Sequence, residues 1–121
     1  MKSNVAVLVV EDMPQVRATA VRILEDSGCK VFDTYNGDGA LNVLEAHPEI
    51  DVLFADVRLA AGMNGVELAQ TARRRRPDLR VVLTSGYVGR ESVPDDLPFL
   101  PKPWRAEDVV SAVTAADGIE G

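Results

Sequence analysis

Short apolar runs alternate along the chain with longer segments in which apolar residues recur at helical spacing. The first run, 5–10, is rich in β-branched residues and apolar throughout, which is typical of a strand buried on both faces. Similar runs predict further strands at 51–55 and 81–84, with shorter ones at 30–34 and 99–100. Strands that alternate with helices predict an α/β fold with a parallel, doubly wound sheet and right-handed crossovers.

Punctuating residues mark where the helices begin and end. Pro14 suits the first turn of a helix that ends at Gly28, and Asn36 can cap a second helix that Pro48 ends. A third helix closes at Pro77, and a last one carries an apolar stripe: Val109, Ala112, Val113 and Ala116. A long helix is not favoured between 86 and 97, where glycine, proline and charges occur together. Pro101 cannot donate to a sheet ladder, so the fifth strand is expected at an edge.

Composition excludes several classes of function. The 121 residues suit one domain, expected to span 1–121. Lys plus Arg number 13 and Asp plus Glu 19, and the net charge of -6 argues against binding nucleic acid or an anionic membrane. The run 73–76 of arginines is interpreted as a helix C-terminus. No apolar run approaches the ~18 residues of a membrane span, and the single Cys29 indicates a reducing cytoplasm.

Polar residues stand where the predicted strands end. The set comprises Glu11, Asp12, Asp56, Thr84 and Lys102. The carboxyl ends of parallel strands meet at one edge of the sheet, where doubly wound folds bind their ligands. Three carboxylates brought together repel one another unless a cation lies among them. Mg²⁺ is the cation predicted, because it prefers oxygen ligands and is usually held by one or two carboxylates with waters and a phosphate.

This set suits phosphoryl transfer to a carboxylate. Asp56 is the predicted nucleophile, because a carboxylate can attack phosphorus to form an aspartyl phosphate. Lys102 would neutralise the phosphoryl oxygens, and the Thr84 hydroxyl would donate to one of them. Each residue alone has a simpler interpretation, since an aspartate can cap a helix or end a strand in a turn and a threonine is a common strand former.

At this point the sequence resembles the receiver domain of bacterial two-component response regulators over essentially its whole length. The matching stretches are VLVVEDMP, LFADV, GMNGVEL, VVLTSGY and FLPKPW, together with Asn36-Gly37. The resemblance implies a flavodoxin-like sheet of five strands in the order 2-1-3-4-5. It also implies a signalling switch in a phosphorelay rather than an enzyme that acts on a separate substrate.

The resemblance assigns roles to individual residues. Asp56 would take a phosphoryl group from a histidine kinase or a histidine phosphotransfer protein. Asp12, with Glu11, would coordinate Mg²⁺ beside Asp56, and the backbone carbonyl of Arg58 would complete the site. Two further implications concern the switch and the backbone: Thr84 would reorient toward the phosphoryl group with Phe99 following it inward, and the Lys102-Pro103 bond would be cis.

The sequence also departs from the family pattern. Glu11 stands where aspartate is commoner, and the loop VRLAAGMNG lacks a proline and is one residue longer. Arg58 is expected either to shield the phosphoryl group and slow its hydrolysis or to be a solvated loop arginine. Thr84 and Lys102 are 18 positions apart, about one helical turn short, so a shortened or unwound segment is predicted at 88–96 in place of the family's fourth helix.

These departures affect the expected partners. A homodimer through the fourth-helix surface is not expected, and Phe99, which lacks a hydroxyl, would switch weakly. Trp104 is interpreted as packing the start of the last helix, with a partner-binding role as the alternative. The chain carries no recognisable output domain, so the downstream effector is expected to be another, unknown protein or another part of a longer chain.

Three other functions share part of this pattern. A Mg²⁺-dependent phosphatase with an aspartyl phosphate would want an aspartate at position 58 and a cap insertion. A flavodoxin-like FMN-binding protein would want a phosphate-cradling loop after the first strand, where EDMPQ offers carboxylates. A receiver-like interaction module would take up no phosphoryl group.

Overall fold

A computed structural model describes residues 5–59, 62–86 and 89–118. Its strands are β1 (Ala6–Val10), β2 (Lys30–Thr34), β3 (Val52–Asp56), β4 (Arg80–Ser85) and β5 (Phe99–Pro101). Its helices are α1 (Pro14–Asp26), α2 (Gly37–Ala46), α3 (Gly65–Arg75) and α4 (Ala106–Gly118). A short 3₁₀ helix, Arg90–Ser92, lies between β4 and β5.

The strands form one parallel sheet in the order β2-β1-β3-β4-β5. This confirms the predicted α/β fold and its strand order. β5 is the last strand in this order and pairs with β4, so Pro101 lies in an edge strand as predicted. The third strand runs one residue beyond its predicted end and includes Asp56, which pairs in register with Thr84 of β4.

Each face of the sheet is covered by a pair of helices. Because successive strand side chains point to opposite faces, each pair of helices packs on a different set of strand residues. On what we call the α2/α3 face, Leu8, Leu53 and Leu83 pack with residues of α2 and α3. On the α1/α4 face, Val9, Phe54 and Val82 pack with residues of α1 and α4. Burial on both faces explains why the central strands read as continuous apolar runs.

The helix ends follow the predicted signals. Pro14 opens α1, and the Asn36 side chain caps α2 by accepting a hydrogen bond of 2.8 Å from the Gly39 amide. Helix α3 begins with a capping box in which Asn64 and Glu67 satisfy one another's backbone amides. The arginine run lies at the C-terminus of α3, as expected.

Residues 89–96 form a short 3₁₀ turn and a connecting loop rather than a regular three-turn helix. The Arg90 guanidinium holds this segment by donating to the carbonyls of Leu97, at 2.5 Å, and Asp95, at 2.7 Å. Val93 and Leu97 are buried against the α2/α3 face. The predicted shortening is therefore confirmed for these residues, whereas residue 88 lies outside the described part of the chain.

Two predictions about the class of protein can be compared with the fold. Cys29 is a buried free cysteine, as expected of a chain without an intrachain disulfide. Among the residues that the structure describes, no helix is long and apolar enough to cross a membrane.

The loop after Asp56 is predicted to be one residue longer than in the family. Residues 60 and 61 of this loop lie outside the described ranges.

Candidate functional site

Four of the predicted side chains lie together at one edge of the sheet because each follows a residue of the α1/α4 face by two positions in sequence. Four strands each carry an apolar residue that packs on the α1/α4 face near the carboxyl end: Val9, Phe54, Val82 and Leu100. The residues two positions further on are Glu11, Asp56, Thr84 and Lys102. Since strand side chains alternate with a period of two, these polar groups continue the same face beyond the core. The sequence therefore folds them into one polar cluster above the α1/α4 face.

Lys102 joins two buried carboxylates in this cluster. Its Nζ lies 2.9 Å from Glu11 Oε1 and 2.6 Å from Asp56 Oδ2. The side chains of Glu11 and Asp56 are only 3% and 6% exposed, so this ammonium stabilises charges that water hardly reaches. The Lys102-Pro103 peptide bond is cis, as the resemblance implied.

The Asp56 carboxylate is held on both of its oxygens. While Oδ2 faces Lys102, Oδ1 accepts a hydrogen bond of 2.8 Å from the backbone amide of Arg58. Behind Asp56, helix α3 begins so close to the strand that a Cβ on Gly65 would collide with the Asp56 backbone carbonyl. Backbone and ammonium donors thus fix the orientation of this carboxylate.

Glu11 adopts a compact arrangement that offsets its longer side chain. Its Oε2 accepts a hydrogen bond of 3.2 Å from the Met13 amide two residues later, while Oε1 accepts from Lys102. Burial, followed by the hydrogen bond and charge of Asp56, raises the pKa of Glu11 to about 7. Burial would lower the pKa of Lys102, but its bonds to Asp56 and Glu11 prevail and raise it above its usual value.

Thr84 is bound by an aromatic side chain. The buried Thr84 hydroxyl oxygen accepts a hydrogen bond of 2.8 Å from the Trp104 indole N–H. Phe99, the other predicted switch residue, packs against the α2/α3 face and pairs in register with Leu83. The aromatic group in contact with Thr84 is therefore Trp104.

Two further metal ligands are predicted, Asp12 and the backbone carbonyl of Arg58, whose amide donates to Asp56. Asp12 is partly exposed, and Arg58 has an exposed side chain. Within the described residues, no group of three or more His, Cys, Asp or Glu side chains is arranged to hold a metal ion. The donor chemistry still fits Mg²⁺, because Glu11, Asp12 and Asp56 offer only oxygen, and this ion commonly takes one or two carboxylates and completes its shell with water.

The contact that sequence reasoning missed is the Trp104 bond to Thr84. The sequence predicts that Trp104 packs the start of the last helix or binds a partner, and its ring packs against Phe54, with ring centroids 5.5 Å apart. The polar end of its ring had no assigned partner. A buried tryptophan usually satisfies its N–H, and a hydroxyl at the end of the neighbouring strand was the available signal.

Comparison with known proteins gives this geometry a context. The family described as the response regulator receiver domain matches residues 7–114. The chain therefore belongs to the receiver domains of two-component response regulators. The general function of this family is to accept a phosphoryl group, and its members act as signalling switches that work with histidine kinases or phosphotransfer proteins and generally use Mg²⁺.

Two relatives differ in how much of them this chain represents. The chain is 30% identical over 112 residues to the response regulator receiver protein CpdR of Brucella abortus, covering 88% of this chain and 92% of CpdR. It is 31% identical over 120 residues to the sensor kinase CckA of the same organism, covering 93% of this chain but only 12% of CckA. The chain thus matches nearly all of one relative and a small part of the other.

Solved structures agree with the fold. A response regulator receiver protein from Sinorhizobium medicae superposes with a TM-score of 0.86 at 25% identity, covering 98% of both chains. The receiver domain of the hybrid histidine kinase CckA superposes with a TM-score of 0.78 at 32% identity, covering 90% of this chain and 95% of that domain. Both neighbours are receiver domains.

Proposed function

We propose that Asp56 is the phosphoacceptor of this receiver domain and that residues 1–121 act together as one phosphorylation-controlled switch. The observation that supports this most directly is the bridge from Lys102 to Asp56, at 2.6 Å, within a cluster at the carboxyl edge of the sheet. A buried carboxylate held by an ammonium and a backbone amide stays oriented for attack.

The transfer begins with a phosphohistidine of a kinase or phosphotransfer protein beside Asp56. One carboxylate oxygen of Asp56 forms the new P–O bond while the donor's P–N bond breaks, and the electron pair of that bond remains on the leaving imidazole, which takes up a proton. Lys102 neutralises charge on the transferring phosphoryl oxygens, and the Thr84 hydroxyl donates to one of them. Hydrolysis of the same acyl phosphate by water resets the switch.

Mg²⁺ is the proposed cofactor, held by Glu11, Asp12, Asp56 and the backbone carbonyl of Arg58. When bound, it supplies positive charge that stabilises the phosphoryl oxygens. A cation beside Glu11 and Asp56 would offset the burial and the neighbouring charge that raise the pKa of Glu11. Asp12, which is partly exposed and adjacent to Glu11 in sequence, is the proposed third carboxylate ligand.

The proposed partners follow from the family and from the segment after β4. A histidine kinase or phosphotransfer protein supplies the phosphoryl group, and a protein effector reads the state of Thr84 and Phe99. Residues 89–96 do not form a regular helix, which argues against a dimer through a fourth-helix surface. The acidic net charge argues against nucleic acid and anionic membranes as partners, and the buried free Cys29 agrees with a cytoplasmic location.

Phosphoryl uptake from acetyl phosphate tests the proposal. The wild-type protein, Asp56→Asn and a matched control, Asp38→Asn in the exposed first turn of α2, are incubated with Mg²⁺ and analysed by intact mass. We expect one phosphoryl group on the wild type and the control, none on Asp56→Asn, and none on the wild type after chelation. A wild type that takes up none from acetyl phosphate or phosphoramidate would contradict the proposal and favour the receiver-like interaction module.

A further inference from the structure

Trp104 contacts three separate parts of the phosphoacceptor cluster. Its indole N–H donates to the Thr84 hydroxyl oxygen at 2.8 Å. Its ring packs on Phe54, two residues before Asp56, and Lys102 Nζ lies 5.8 Å from the ring centroid. One side chain therefore adjoins the hydroxyl, the ammonium and the strand that carries the carboxylate.

The hydrogen bond also determines what the Thr84 hydroxyl can do. An indole nitrogen can only donate, so the Thr84 oxygen must accept, and its hydrogen is left to be donated elsewhere. Thr84 is 2% exposed, so water offers this hydroxyl little competition. Its register partner on the next strand is Asp56, where a phosphoryl oxygen would accept that hydrogen.

Phe99 offers no comparable contact. It lies on the α2/α3 face, paired with Leu83, whereas Thr84 continues the α1/α4 face. Phenylalanine also has no polar atom with which to orient a hydroxyl. Trp104, rather than Phe99, is therefore the aromatic residue hydrogen-bonded to Thr84.

We propose that Trp104 is a positioning residue for the phosphoryl transfer proposed above: its indole N–H holds the Thr84 oxygen so that the hydroxyl hydrogen is directed to the phosphoryl group on Asp56. The role rests on the proposed function and acts through Thr84. Trp104 is the chain's only tryptophan, so an analogue incorporated in place of tryptophan enters at this position alone.

A double-mutant cycle tests the coupling. The initial rate of phosphoryl uptake from acetyl phosphate with Mg²⁺ is measured by intact mass for the wild type, Trp104→Phe, Thr84→Val and the double variant. We expect Trp104→Phe to slow uptake about two- to tenfold, the range for loss of one hydrogen bond, and to have no further effect in the Thr84→Val background. In a Thr84→Ser background, which retains the oxygen, the same substitution should again slow uptake.

A second variant separates the hydrogen bond from ring packing. Benzothienylalanine, in which sulfur replaces the indole N–H, can be incorporated at the single tryptophan position and keeps the bicyclic ring. It should slow uptake to the same extent as Trp104→Phe. Thermal melting of every variant confirms that it is folded, and the benzothienyl protein provides the test if Trp104→Phe is unfolded.

The outcomes distinguish this inference from the proposed function. Equal slowing in the threonine and valine backgrounds, or normal uptake by the benzothienyl protein, would overturn the positioning role while leaving Asp56 as phosphoacceptor. A wild type that takes up no phosphoryl group at all would overturn both proposals together.

Discussion

Replacing Glu11 by glutamine should stabilise the protein at pH 8 in the absence of divalent cations. Burial and the neighbouring Asp56 raise the pKa of Glu11 from its ordinary value of 4.5 to about 7. The folded state therefore binds a proton more readily than the unfolded state between these two values. Stability from this group is greatest below about pH 4.5, falls as the pH rises toward 7, and is lowest above it.

The size of the effect follows from the pKa difference. A shift of one pKa unit corresponds to 1.36 kcal/mol, so ionised Glu11 destabilises the folded state at pH 8 by about 3 kcal/mol. Glutamine retains one acceptor for Lys102 but loses the bond from the Met13 amide, which costs about 1 kcal/mol. The net gain at pH 8 is about 2 kcal/mol, or a rise in Tm of about 6–10 °C.

Thermal melts in a chelator at pH 5 and pH 8 measure the effect. The wild type should lose stability between these pH values relative to Glu11→Gln. The exposed Glu25→Gln on α1 should follow the wild type, because it removes a carboxylate without changing the cluster. A lower Tm for Glu11→Gln than for the wild type at pH 8 would show that ionised Glu11 is stabilising there, and the reasoning from burial would be wrong.

Three further substitutions test the cluster and its surroundings. Lys102→Met leaves two buried carboxylates without their cation and should destabilise the protein by about 3–5 kcal/mol at pH 8, with partial recovery in Mg²⁺, as measured by urea denaturation. Gly65→Ala should lower the free energy of unfolding by more than about 2 kcal/mol, because its Cβ would collide with the strand backbone. Gly37→Ala is the control and should cost much less, because its Cβ would collide with a flexible methionine side chain. If the Arg58 guanidinium shields the phosphoryl group, Arg58→Ala should speed loss of the phosphoryl group several-fold in an intact-mass decay assay, and an unchanged lifetime would favour the solvated loop arginine.

The sequence predicts the polar cluster because its members obey a short-range rule. Side chains alternate along the strands, so Glu11, Asp56 and Thr84 lie on the same face as the core residues two positions before them. The strand order is less accessible, since several orders satisfy right-handed crossovers, and the prediction depended on resemblance to a family. The shortened segment after β4 was predictable from its length and from Pro94.

The internal contacts of the cluster could not be predicted. The reach of Lys102 to both carboxylates and the Trp104 bond to Thr84 depend on rotamers and on the path of the chain after β5. The burial of Asp12 also differs from that of its neighbour. Asp12 is adjacent to the buried Glu11 in sequence but is partly exposed, because neighbouring residues point in different directions.

Both ends of helix α3 contact other parts of the chain, so a movement at one end can be transmitted to the other. At one end Gly65 lies against the backbone of Asp56. At the other, Arg76 Nη2 donates to the carbonyls of Pro48 and Ile50, at 2.9 and 2.6 Å, which lie before β3 begins. An 11-residue helix spans about 16 Å. A displacement of the backbone beside Asp56 is therefore expected to tilt α3 as a rigid body. The tilt would move the segment that precedes β3, at the amino ends of the strands.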